Sequence, residues 1–183
     1  MTPDDVLNFW FADGPDTARE TWFRKNPDFD AEIRDRFAPL LAAPPDAWAA
    51  TPHGALALIL VLDQFPRNLH RDSAHAFAHD AQALTTARAL LGQDHHLTPT
   101  QRLFGYLPFE HSESMADQNL SVALFGGLRD RPDIARPGGA IAYAWAHRAV
   151  IARFGRFPHR NAALRRASTP AEVAYLAQPG AGF

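Results

Sequence analysis

Residues 51–62 read TPHGALALILVL, a Thr-Pro pair followed by an unbroken apolar run at 55–62. Over so short a run, periodicity alone does not separate a fully buried strand from a fully buried helix. The onset decides it. Threonine offers a hydroxyl to a helix N-terminus, and proline suits the first helical turn, where its missing N–H costs nothing. The same grammar recurs at Thr2-Pro3 with Asp5, Thr98-Pro99 with Gln101 and Thr169-Pro170 with Glu172, where the acid or amide answers the threonine as in a capping box. No stretch alternates Val, Ile and Thr with polar residues, so these onsets predict an all-α chain.

Working outward, Val6, Leu7, Trp10 and Phe11 form one helical face before Gly14-Pro15, and the Trp22-Phe23 pair follows in a loop or short helix. Phe29, Ile33, Phe37 and Leu40 or Leu41 recur at spacings of three and four, which predicts an amphipathic helix over 28–41 closed by Pro44-Pro45. The apolar run is expected to end near Gln64, because the residue before Pro66 is pushed out of the α region. Asp72 or Ser73 is expected to cap a helix running to Gly92, and Thr98 opens one that carries Leu103, Phe104 and Leu107 to a break at Pro108. Ser112 or Ser114 is the candidate cap of a helix closed by Gly126-Gly127. Residues 132–139 read as a linker, 140–154 as an amphipathic helix stopped by Gly155, and Asn161 or Ala162 as the start of a short helical stretch. Thr169 opens the last helix, and 178–183 read as a loose tail. The sum is a single domain of roughly seven to nine helices in an antiparallel bundle.

With 183 residues, 46% of them hydrophobic and 21% charged, the chain falls within the size of one domain with its own core. Acidic residues in MTPDDVLNFW stand where a secretory leader would be basic, and no apolar run reaches bilayer length. A soluble, cytoplasmic protein with no membrane partner is expected. The absence of cysteine rules out disulfides, thiolate metal sites and thiol nucleophiles. The net charge of -2 conceals an asymmetry: between Ile134 and Ala171 stand seven arginines and no Asp or Glu. Arginine receives phosphate well, but a pI near 6.5 lacks the basic signature of nucleic-acid binders. Nucleic acid is therefore not the expected partner; pairing with the acidic remainder of the chain is.

Three polar stretches break into apolar sequence: LDQFPRN at 62–68, the polar end of LFGYLPFEHSESMADQN at 103–119, and HRAVIARFGRFPHRN at 147–161. So much hydrogen-bonding capacity beside core sequence calls for buried polar groups that answer it. If the stretches share a pocket, its catalytic candidates are Glu113, His111, Asp63 and His159, with Glu110 as a further carboxylate. A carboxyl of raised pKa and a histidine near neutrality can share acid–base work. The binding candidates are Arg67, Asn68, Gln118, His147, Arg153, Arg156, Arg160 and Asn161, whose arginines are suited to clamp an anionic small molecule. Asp63, near a helix C-terminus where the dipole disfavours a carboxylate, is expected to have an arginine partner. On this reading Glu113→Gln and His159→Asn weaken ligand binding and shift thermal stability little. A competing reading makes the same residues locks: in QFPRN and RFPHRN, Phe anchors a helix end, Pro turns the chain, and Arg-Asn satisfies orphan carbonyls.

Other chemistries find less support. His75 and His79 are four residues apart, as in an HExxH pair, but the glutamate is missing, and Glu-His-x-Glu at 110–113 matches no defensible ligand spacing, so no metal is expected. Neither Ser112 nor Ser114 sits in a nucleophile elbow. Gly126-Gly127 and Gly138-Gly139 lack phosphate-loop spacing, so no cofactor is expected.

LDQFPRN, YLPFEHSE at 106–113 with ADQ at 116–118, and RFGRFPHRN at 153–161 resemble the bacterial family catalogued as domain of unknown function 924. The NFWF start at 8–11, the Trp22-Phe23 pair and the PGAGF ending at 179–183 are similar to that family's ends. The resemblance covers nearly the whole chain and implies an all-α fold of the tetratricopeptide-like superfamily, with no particular activity. Glu110 departs from the family's apolar pattern and so ranks below Glu113, and the GAGF ending replaces a more serine-containing tail. Two functions follow: a small-molecule binder with acid–base chemistry, or a tetratricopeptide-like module for a protein partner, the latter argued from superfamily analogy. No period of about 34 residues is present.

Overall fold

The computed structural model describes residues 1–182. Among them the chain is all-α, with no strand. In chain order its helices are α1 (Pro3–Trp10), α2 (Pro27–Ala42), α3 (Pro52–Ile59), α4 (Phe65–Leu69), α5 (Asp80–Leu90), α6 (Pro99–Glu110), α7 (Met115–Gly126), α8 (Pro132–Ala135), α9 (Ala140–Phe154) and α10 (Pro170–Leu176). All four Thr-Pro pairs open helices. The Thr2 and Thr169 hydroxyls accept the Asp5 and Glu172 N–H groups, and each acid takes the threonine N–H in return. At Thr98 the hydroxyl accepts the Gln101 N–H at 3.2 Å while the Gln101 amide oxygen accepts the Thr98 N–H at 3.0 Å. Thr51 accepts the Gly54 N–H at 3.1 Å.

The chain divides into two compact units, Met1–Arg71 with His75–Pro108, and Asp72–Ala74 with Phe109–Phe183. In the first, the run at 55–62 is wholly buried, as its apolar continuity predicts. It packs on α1, on α5 and on a 3-10 helix at Asp46–Ala50. That last approach is close enough to demand glycine: a Cβ on Gly54 would lie 2.2 Å from the Trp48 carbonyl oxygen. An aromatic cluster fills the space beside it, with Trp10 stacked on Trp22 at 6.2 Å, edge-on to Phe104 at 5.5 Å and tilted on Phe65 at 5.7 Å. The last carbonyls of α1 are not left orphaned, because Arg19 donates to Phe9 and Trp10 and the Trp22 indole donates to Trp10.

Two prolines do not break the chain where local rules place the break. Residues Leu60–Gln64 form a π-turn in which the Phe65 N–H reaches the Leu60 carbonyl, and Gln64 and Phe65 keep α-region dihedrals. The helix therefore continues through Pro66 into α4, and Arg67 and Asn68 lie on a helix rather than in a loop. A π-turn holds one more residue than an α-turn, and burial of Phe65 and Pro66 keeps the path helical. Likewise α6 runs through Pro108 to Glu110. Only the bond from the missing N–H of residue 108 is forfeited, in a helix buried almost all round.

Other boundaries shift for identifiable reasons. Neither Asp72 nor Ser73 caps a long helix: Asp72 adopts φ 63°, a left-handed value that a helix start excludes. A 3-10 helix at Ala74–Phe77 follows, and His79 stands at the N-cap of α5. Neither serine caps α7 through its hydroxyl, although Ser114 holds the N-cap position. The expected linker contains α8. After a 3-10 helix at Pro158–Arg160 the chain makes turns rather than a helical stretch, with Arg165 at φ 54°. The tail is not loose: the Gln178 N–H donates to Tyr175 at 3.0 Å and the Ala181 N–H to Gln178 at 3.1 Å. Its last residue, Phe183, lies outside the described residues.

In the second unit α9 packs along α7 and against α8, and α10 packs on the helix Pro158–Arg160. Val150, Ile151 and Phe157 form its core, with Met115, Phe154 and Tyr175 against them. Gly155 ends α9 in the left-handed region at φ 69°, which a side chain would resist. Among the described residues no helix is long and apolar enough to cross a membrane.

Candidate functional site

Gly155 reverses the chain after α9 and drops Phe157 into the core of the second unit with no exposed surface. Two of the three polar stretches assemble around this ring. Glu113 reaches the loop first: its Oε1 accepts the Phe157 N–H at 2.7 Å, and both oxygens accept from Arg166, at 2.7 and 3.0 Å. Arg166 also donates to the Phe157 carbonyl at 3.0 Å and, through Nε, to Asn161 Oδ1 at 2.9 Å. Asn161 is buried and donates to Ser168 Oγ at 3.0 Å. Burial draws the Glu113 carboxyl upward, but the Arg166 guanidinium and the Phe157 N–H outweigh it and hold the group below the usual carboxylate range. Glu113 is thus an ionised strut with both oxygens engaged. A second strut is Arg156, whose Nε and Nη2 donate to the two Glu172 oxygens at 2.6 and 2.8 Å. That arginine, with the Thr169 N–H, holds Glu172 at about 2. Arg153 is exposed, with its guanidinium 4.7 Å from the Phe154 ring.

The imidazoles gather around the Phe157 ring. His147 meets the ring edge-on at 5.5 Å, His159 lies 5.5 Å away, and the buried Arg160 guanidinium stacks on it at 4.5 Å. His111 stands 6.3 Å from His147, centroid to centroid. The His147 Nδ1 lies 2.9 Å from the Tyr143 carbonyl and 3.4 Å from Glu110 Oε1. Desolvation, then the neighbouring His111, Arg160 and His159, lower His147 to about 3, so at neutral pH the ring is uncharged and its contact with Glu110 is no ion pair. A carbonyl only accepts, so Nδ1 carries the proton and Nε2 is the acceptor nitrogen. Gln118, fully buried, donates to the Glu110 and Ser112 carbonyls at 2.7 Å each. Ser112 donates to Asp117 at 2.8 Å.

The remaining candidates form a separate network within the first unit. Asp63, fully buried, has the arginine partner its position requires, with Arg67 Nη1 at 3.0 Å from Oδ1, and accepts from Gln64 Nε2 at 2.6 Å. Arg67 also donates to both Asp80 oxygens, at 2.9 and 3.0 Å. Burial pulls its pKa down, but the Asp63 and Asp80 carboxylates prevail and raise it. Asn68 donates to Asp30 at 3.1 Å, and Asp30 in turn accepts from Arg71.

Sequence reasoning missed Arg166, Asp80, Asp30 and the Tyr143 carbonyl. Arg166 was one of seven arginines in a block, and nothing local marked it as the partner of a carboxylate 53 residues away. The two glutamates differ in setting: Glu113 accepts from Arg166 with both oxygens, whereas Glu110 Oε1 lies 3.4 Å from Nδ1 of the neutral His147. Among the described residues no group of His and carboxylate side chains is placed to hold a metal ion.

An all-α protein with clusters of polar side chains set into its helix ends is the class this geometry defines. The chain belongs to the family described as "Bacterial protein of unknown function (DUF924)", whose pattern matches residues 6–180. It is similar to the solved structure of a protein of unknown function from Agrobacterium tumefaciens, at 38% identity over 96% of each chain with a TM-score of 0.83. No curated protein matches.

Proposed function

We propose that the protein is a cytoplasmic binder of a small anionic molecule, received by His111, His159 and Arg160 beside Phe157, with His147 exchanging a proton with it. The supporting observation is the His147 ring: buried, uncharged, fixed by the Tyr143 carbonyl and set among His111, His159, Arg160 and Glu110. Titration displaced this far, in a cluster of mutually facing groups, concentrates at functional sites. An anion among these groups would relieve their mutual repulsion and raise the basicity of Nε2, which is how binding would prepare the ring to accept a proton. Glu113, Arg166 and Asn161 then shape the loop rather than carry the chemistry.

A thermal-shift screen of small carboxylates and phosphate monoesters tests this on the wild type, His159→Asn and His147→Gln. At least one compound is expected to raise the wild-type midpoint while leaving both folded variants unmoved. If every compound that shifts the wild type shifts the variants equally, the imidazoles are helix-end locks, and the interaction-module reading replaces this one.

A further inference from the structure

Within the first unit an open cleft of about 400 Å³ lies between α2, the end of α4 and the segment leading into α5. Its polar lining is one arginine and three imidazoles. Arg34 comes from α2, His70 from the C-cap of α4, and His75 and His79 from the segment before α5. Its floor is apolar, made chiefly by Leu41, Pro66 and Leu69. No carboxylate lines it: Asp30 pairs with Arg71 and Asn68, Asp63 and Asp80 with Arg67, and Glu32 with Arg36, while Asp28 and Asp35 of α2 and Asp72 are exposed outside the lining. Arg34 has no acidic partner among the described residues. The His70 and His75 rings lie 5.7 Å apart. Desolvation, then His75 and Arg34, lower the basicity of His70.

We propose that this cleft binds a small organic anion, a carboxylate or phosphate monoester bearing a short apolar group. Arg34 and the imidazoles of His70, His75 and His79 receive the anion, and Leu41, Pro66 and Leu69 receive the apolar part. The volume falls in the range of small-ligand sites, about 300–1,000 Å³. Protonation of His70 is opposed by desolvation, by His75 and by Arg34, and a bound anion offsets that opposition. Binding therefore takes up protons, and affinity rises as pH falls through the imidazole range. These residues are distinct from those around Phe157, so either site stands without the other.

The test uses the full chain, with phenyl phosphate and benzoate as anionic probes, benzamide as a neutral one and inorganic phosphate as one without an apolar group. Calorimetry is expected to show either anionic probe binding about tenfold tighter at pH 6 than at pH 8, with benzamide silent and inorganic phosphate weaker. Histidine C2–H resonances of His70, His75 and His79 shift on saturation, and the titration midpoint of His70 moves up. Arg34→Gln, an exposed position, keeps the wild-type melting temperature and weakens binding by about tenfold. The proposal is overturned if neither anionic probe binds, if affinity is flat in pH, if benzamide binds as well as the anions, or if Arg34→Gln leaves affinity unchanged.

Discussion

Glu113 is a candidate base by composition and a strut by geometry. Its substitution by glutamine removes one partner of a partly buried, bidentate pair and leaves Arg166 uncompensated, which costs about 1–3 kcal/mol. Urea unfolding of Glu113→Gln should show that loss, larger than the small change sequence reasoning assigns. His147 gives a pH signature. Its folded-state pKa, about 3, lies below the unfolded value of 6.5, so the unfolded chain binds the proton first as pH falls. Stability is intact above the unfolded value and declines through the window from 6.5 to 3. Between pH 7 and pH 5 the wild type should lose about 2 kcal/mol through this group. Equilibrium unfolding at the two pH values checks this, and the loss should vanish in His147→Gln. Gly182 bears on the same cluster, since a Cβ there would lie 3.0 Å from the His159 Cβ.

At the scale of elements, Thr-Pro onsets and glycine stops were legible, whereas the helix paths through Pro66 and Pro108 and the onset at 72–73 were not. A threonine cap and a first-turn proline act within four residues, so the sequence displays the whole device. Thr98→Ala should lower stability by about 1 kcal/mol, and calorimetric melting would measure it. Gly54→Ala is expected to cost more than the cap, about 2–3 kcal/mol, because the methyl meets backbone that cannot rotate away. Pro66 and Pro108 misled because the local rule against proline is a preference of about 3 kcal/mol, which burial of a neighbouring aromatic can offset. Asp72 misled differently: its left-handed backbone forecloses a helix start that its side chain would have capped.

For the whole molecule, the fold class follows from patterns repeated along the chain, whereas the polar clusters depend on pairings across it. The all-α reading needed only the onsets and the missing alternation. The partners of Glu113 lie 44 and 53 residues away, a separation that no spacing rule encodes. The arginine-rich block nonetheless carried a correct hint of internal pairing, since Arg156 and Arg166 meet Glu172 and Glu113. The core of the first unit converges on Phe65, fully buried among Trp10, Phe9 and Phe37. Phe65→Ala should cost about 3–5 kcal/mol, read from the denaturant midpoint.

The π-turn at Leu60–Gln64 acts as an angular offset. One residue beyond regular winding turns all that follows by about 100° around the helix axis. Arg67 reaches Asp63 behind it and Asp80 ahead of it because of that azimuth. Regular winding of the same sequence would aim the guanidinium about a quarter-turn away from Asp80, whereas deleting one residue from 60–62 removes the extra residue and leaves Arg67 at its present azimuth. The charge network of the first unit thus depends on the turn absorbing a residue that hydropathy does not reveal.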